Sequence, residues 1–74
     1  MAIGTAQYRD ILPITRAIEP GEKHVPGVSY WSFYWHFVYV VEAVNGSEVT
    51  VRTPADQRIW HHRTPLDFRD RVFV

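Results

Sequence analysis

The chain of 74 residues contains no cysteine, so no disulfide can supplement its core, and a reducing compartment suits it. It has no excess charge of either sign: eight basic residues face eight acidic ones, and the pI is about 6.9. Proteins that hold nucleic acid by neutralising phosphates carry a basic excess or stripe. Residues 1–44 hold three basic and four acidic residues, and residues 45–74 hold five and four, too even a split to steer a charged partner. A long hydrophobic run is also missing. The longest apolar stretch is interrupted by Ser32, His36 and Glu42 and is too short and polar to span a bilayer. The first residues lack the basic-then-apolar order of a signal peptide. Glycine is sparse and scattered (Gly4, Gly21, Gly27, Gly46), which excludes a glycine-rich phosphate loop. Together these absences lead us to expect a cytoplasmic protein with no membrane contact.

Aromatic residues are what the chain has in abundance. Three Trp, four Tyr and four Phe make up 15% of it. Seven of these eleven fall between Tyr30 and Tyr39, and each ring can bury roughly 150–250 Å². A single domain of this length buries only about 60% of the surface its unfolded chain exposes. The rings therefore either thicken a thin core or pair with a second chain. Seven of the eight basic residues are Arg, the cation suited to planar and stacking contacts.

The order of elements is read from periodicity and turn residues. Residues 1–10 read as an N-terminal arm, loosest over Met1–Thr5, and residues 11–74 as a single small β domain. Residues 11–18 place Leu12, Ile14 and Ile18 on one face of an edge strand, with Pro13 marking the edge or a bulge. Residues 19–27 hold two Pro-Gly pairs and form a loop. Residues 28–44 are rich in Val, Tyr, Phe and Trp and read as one long strand, or two with a bend. Asn45-Gly46 signals a type I′ hairpin turn, joining 36–44 to the alternating 47–53. Thr53-Pro-Ala-Asp56 and Thr64-Pro-Leu-Asp67 share a capping pattern; the first suits a tight turn and the second a helical turn at 65–69. Residues 57–63 and 71–74 read as strands. The sum is an all-β fold: a small five-stranded barrel or strongly bent meander with one short helical turn near 65–69. Its order is similar, in architecture alone, to the small SH3-like barrels.

At period two, Trp31, Phe33, Trp35, Phe37, Tyr39 and Val41 share one face of the aromatic run. Tyr30, Ser32, Tyr34, His36, Val38, Val40 and Glu42 share the other. The first face is expected to lie in the core or an interface, and the second to remain accessible to a ligand or partner. A one-residue slip would exchange them. No chemistry of the usual kinds is spelled out. His61 and His62 are neighbours on a strand and point apart, so with His24 and His36 they form no metal set, and no metal or cofactor is expected. Ser29, Ser32 and Ser47 lie in no nucleophile elbow, and no catalytic residue is expected. Asn45-Gly46-Ser47 matches a glycosylation sequon formally but reads as a turn. In residues 60–70, Arg63, Arg69 and Arg71 can pair locally with Asp67 and Asp70, while Leu66 and Phe68 plug one end of the barrel.

The function expected is therefore a non-enzymatic protein-binding or assembly module, meeting a protein partner or its own copy. The partner-binding candidates are Tyr30, Tyr34, His36, Arg52, Arg58, Trp60 and His62. An alternative is a single-stranded nucleic-acid binder, whose bases would stack on exposed rings along a groove of Arg52, Arg58, Arg63, Arg69 and Arg71. A second alternative is a small enzyme or accessory subunit with a pocket at Trp60, His61 and His36.

Overall fold

Alternating Val and Thr side chains make the centre of the fold. In the computed structural model, which describes residues 7–63 and 66–74, β3 (Phe37–Asn45) and β4 (Glu48–Thr53) form an antiparallel hairpin. Val49, Val51 and Thr53 are buried on one face of β4, as period two requires. A bulge between Val41 and Ala43 leaves Glu42 exposed. The hairpin lies where Asn45-Gly46 places it, but the turn type differs. Asn45 pairs with Glu48, so Gly46 and Ser47 are the central residues, and Gly46 alone of the three has positive φ, at 61°. That is the pattern of a type II′ turn, with glycine first.

Around this hairpin are β1 (Thr15–Ala17), β2 (Ser29–Ser32), β5 (Arg58–Arg63) and β6 (Arg71–Phe73). All pairings are antiparallel, in the spatial order β1-β6-β2-β3-β4-β5. The fold is thus mostly β, and β2 to β5 form a meander. It has six strands rather than five, and among the described residues the sheet does not close into a barrel, because β1 and β5 remain at opposite edges. The reason lies in β2, where Tyr30 and Trp31 are adjacent, point to opposite faces, and are both 0% exposed. A small barrel buries one face of each strand, whereas this strand buries two.

Tyr30 faces Tyr39 and Val72 across its two neighbours, and these rings join Val41, Val49, Val51 and Leu66 in the larger core. Trp31 faces Val38 and packs with it, Ile11 and Phe73 in the smaller one. A short helix, α1 (Tyr8–Ile11), covers that second face, with the Tyr8 ring 5.7 Å from Trp31. Removing a ring as large as Trp31 from such a core costs about 3–5 kcal/mol.

Two further expectations are corrected. Residues 11–18 are not one strand: Ile11 ends α1, Leu12–Ile14 make a 3₁₀ turn, and β1 starts at Thr15. Pro13 has its φ locked near the helical value and has no N–H to give a ladder, which favours the turn. The Thr15 hydroxyl donates back to the Ile11 carbonyl at 2.7 Å. Residues 28–44 take the second of their two expected forms, two strands, here separated by a tight turn at 33–36. Phe68 plugs nothing, being 78% exposed, although Leu66 is buried in the larger core. The arm Met1–Thr5 and the start of the 65–69 helical turn, with Thr64 and Pro65, lie outside the described residues. What is described of that segment is a turn, closed by the Asp70 N–H to the Asp67 carbonyl at 3.0 Å.

Candidate functional site

The turn at 33–36 decides which rings face solvent. Ser32 pairs with Phe37, so four aromatic residues form the whole loop: Phe33, Tyr34, Trp35 and His36. The His36 N–H donates to the Ser32 carbonyl at 2.7 Å, and the Trp35 N–H to the Ser32 hydroxyl at 3.1 Å. His36 adopts φ 55°, a conformation non-glycine residues rarely hold without compensation. Its ring stacks on Trp31 at 5.1 Å. The turn also reverses the phase of the alternation: Trp31 and Tyr39 now lie on opposite faces, and Tyr30 and Tyr39 on the same one.

Two rings of this loop project outward. Tyr34 is 75% exposed and Trp35 65%, with ring centroids 4.8 Å apart. Asp70, buried at the foot of the loop, holds it to the closing segment. One carboxylate oxygen accepts the Phe33 N–H at 3.0 Å and the other the Tyr39 hydroxyl at 2.8 Å. Burial pushes the Asp70 carboxyl above its ordinary range. Burial, with the Asp70 charge, pushes the Tyr39 hydroxyl upward as well.

Facing the loop across the sheet stand Arg58, Trp60 and His62, on the same side of β5. Trp60 is 43% exposed and donates its indole N–H to the Thr53 hydroxyl at 3.2 Å. The Arg58 guanidinium lies 5.9 Å from the Trp60 ring centroid and 3.6 Å from Asp56. Trp35, Phe37, Tyr39, Trp60 and Arg58 border a cavity of about 490 Å³, a volume typical of ligand-sized clefts. A smaller cavity of about 140 Å³ adjoins it, with His24, His62 and Asp70 in its wall. There the rings of Tyr30, Tyr39 and His62 stack in a row, at 5.5 and 6.2 Å. His24 Nδ1 is buried without a hydrogen-bond partner among the described residues. Burial, and secondly His62, hold the His24 imidazole below its usual pKa.

Of the seven partner-binding candidates, the structure gathers Arg58, Trp60 and His62 on one surface, with Tyr34 at its rim. Tyr30 is in the core, its hydroxyl accepting the Val25 N–H at 3.0 Å. Arg52 points to the opposite face and pairs with Glu42 at 3.4 Å. His36 is turned toward Trp31. It therefore shares no cavity with Trp60 and His61, which removes the geometric reason for a pocket of those three. The local ion pairing expected in residues 60–70 is present for Arg69, which holds Asp67 at 3.0 Å. Arg71 instead donates to the Thr15 hydroxyl and carbonyl, and Arg63 makes no ion pair among the described residues. Among those residues no three His, Asp or Glu side chains are placed to hold a metal. Among the described residues no helix is long and apolar enough to cross a membrane.

Sequence reasoning missed Trp35, which it set on the core-or-interface face and left out of the partner-binding candidates, and Asp70, which it treated as a surface charge. No turn-forming residue marks 33–36, and the contacts of Asp70 lie 31 and 37 residues away. Fold and surface together define a class: an open, two-faced antiparallel sheet with an aromatic, Arg-edged cleft at one end. No family model matches the chain, and neither a curated protein nor a solved structure matches it.

Proposed function

We propose that the chain is a non-enzymatic protein-binding module whose contact surface is the cleft between the 33–36 loop and β5. The observation that carries this reading is the pair of exposed tryptophans, Trp35 and Trp60, bordering one cavity with Arg58. Trp, Tyr and Arg are the side chains that dominate interface energetics. The 33–36 turn is held by backbone and by Ser32, Asp70 and Trp31, so Tyr34 and Trp35 are free of that task. A cysteine-free chain is suited to act in the cytoplasm.

The test is comparative capture from the source lysate, with bound proteins identified by mass spectrometry. A partner held by the native protein and lost with Trp35→Ala and Trp60→Ala, at unchanged circular dichroism, supports the reading. Equal capture by native and variant proteins, or none, ends it. Light scattering shows whether that partner is a second copy.

A second reading, single-stranded nucleic-acid binding, draws on Arg58 over Trp60, since bases stack on exposed rings beside cations. It predicts salt-dependent oligonucleotide binding that weakens with Arg58→Ala. Absence of binding at low salt ends it.

A further inference from the structure

The two edges of the sheet are unlike. β1 has three residues, follows a proline-containing turn, and has its Arg16 clamped by Glu22 through two contacts of 2.8 and 2.9 Å. Edges built this way are poor templates for another strand. β5 has six residues, all exposed, paired to β4 in an unbroken register from Thr53–Arg58 to Glu48–Arg63. It carries no proline, lysine or bulge. Its inner side is bound to β4, and on its outer side no strand lies among the described residues. Every second residue of such an edge turns an N–H and a C=O to solvent.

The charges of β5 say what fits there. Arg58, 3.6 Å from Asp56 of the preceding loop, and Arg63 stand at its ends, and the strand itself holds no carboxylate. A second copy of β5 in full antiparallel overlap would set Arg58 against Arg63, like charge facing like. A nucleic-acid backbone offers acceptors for the arginines but no alternating donors for the outward carbonyls. An extended peptide offers both, and acidic side chains on it would complete the match. Such a strand would run beside Trp60, placing an alternate side chain over the cavity that Trp35 borders.

We infer that the outer edge of β5 takes up an extended, acidic segment of another protein as a seventh strand. This rests on the protein-binding reading above and specifies its partner. Strand addition of this kind gains affinity from main-chain hydrogen bonds and specificity from alternate side-chain pockets.

The probe is the hexapeptide Glu-Ile-Thr-Val-Thr-Glu, blocked at both ends, with Lys replacing both Glu in a control. Each is titrated into ¹⁵N-labelled protein while amide shifts and hydrogen exchange are followed. The acidic peptide is expected to shift and protect every second amide of residues 58–63. The Lys peptide should bind at least tenfold more weakly. The double variant Arg58→Glu/Arg63→Glu should reverse that preference, an outcome that simple unfolding cannot produce. Perturbation of β5 by neither peptide, or by both equally, overturns the inference. So does tighter protection of β5 by a dT oligonucleotide, or concentration-dependent protection without peptide, which would indicate self-pairing. If the Trp35→Ala and Trp60→Ala variants lose a lysate partner while the acidic peptide leaves β5 untouched, the binding reading stands and this inference alone falls. If the peptide protects β5 equally in native and Trp35→Ala proteins, the edge is confirmed as a docking site independently of the tryptophan cleft.

Discussion

Two hairpin loops lie at the same end of the sheet and share one backbone plan. Residues 33–36 join β2 to β3, and residues 54–57 join β4 to β5. Each is closed by an N–H of its fourth residue donating to the carbonyl before the loop: His36 to Ser32 at 2.7 Å, and Gln57 to Thr53 at 2.8 Å. Each has a hydroxyl residue before it and a left-handed residue at its end, His36 at φ 55° and Gln57 at φ 58°. The fillings differ. Pro54-Ala-Asp56-Gln57 satisfies itself: Thr53 donates to the Asp56 carboxylate, which accepts the Arg58 N–H at 3.2 Å, and the Gln57 amide donates to the Pro54 carbonyl at 2.9 Å. Phe33-Tyr-Trp-His36 instead relies on distant Asp70 and on Trp31 beneath it. The polar loop shows that this turn needs no aromatic side chains. The outward rings of the other loop are therefore surplus to the turn, and that surplus is the basis for assigning them to recognition.

The largest test of the contrast is Asp70→Ala. It strands the Phe33 N–H and the Tyr39 hydroxyl, and should destabilise the fold by on the order of 2–4 kcal/mol in urea unfolding. A loss below that of the polar-loop variant described next would mean the aromatic loop is as self-contained as its counterpart. Asp56→Ala removes a local, solvent-exposed cap and should cost clearly less than Asp70→Ala in the same unfolding measurement. The left-handed positions then separate the loops by size. Gln57→Gly relieves strain but loses the side-chain bond to the Pro54 carbonyl, and should change stability by less than about 0.5 kcal/mol. His36→Gly should instead destabilise, because the ring stacked on Trp31 is lost; a gain there would show that the stack is idle.

Acid should act on the two loops in opposite senses. Burial raises the Asp70 carboxyl above its unfolded value, so the pH-dependent part of its contribution is fully present below the unfolded pKa and is lost as pH rises through the folded one, while its bonds to Phe33 and Tyr39 remain. The Thr53 hydroxyl, chiefly, lowers the Asp56 carboxyl, so its contribution is present above the unfolded pKa and fades as pH falls through the folded one. Carboxyl ¹³C titrations should place Asp70 above and Asp56 below the usual aspartate value, and the same order for both would refute the assignment. The smallest stability effect belongs to Tyr34→Ala, expected within about 0.5 kcal/mol of the native protein. A larger loss would show that this ring serves the fold after all.

How far the sequence discloses this arrangement differs between the same two loops. The 45–48 hairpin and the alternation of β4 are local, and Val49, Val51 and the glycine at the turn reveal them. Thr53-Pro-Ala-Asp56 carries its own cap and reads correctly as a tight turn. Nothing in Phe33-Tyr-Trp-His36 announces a reversal, since its fourth residue is held left-handed by a tryptophan of the preceding strand. Missing that turn carries the period-two pattern across it unbroken, so Tyr30 is assigned to the accessible face and Trp35 to the face expected in the core or an interface. Arg58, Trp60 and His62 stay on one face in either reading because β5 itself is uninterrupted. Burial of both faces of β2 is likewise hidden, because it depends on α1 packing against Trp31 on one face and distant Leu66 joining the core of Tyr30 on the other.

β6 occupies the sheet between β1 and β2, and its Arg71 grips Thr15 across 56 residues of chain. During synthesis the β2–β5 meander emerges first and has to wait with one flank of β2 bare. Val72, Phe73 and Asp70 then supply both cores and the anchor of the aromatic loop in one step. A chain broken before Asp70 would therefore lose the anchor of the aromatic loop and leave the flank of β2 that carries Tyr30 and Trp31 without its neighbouring strand.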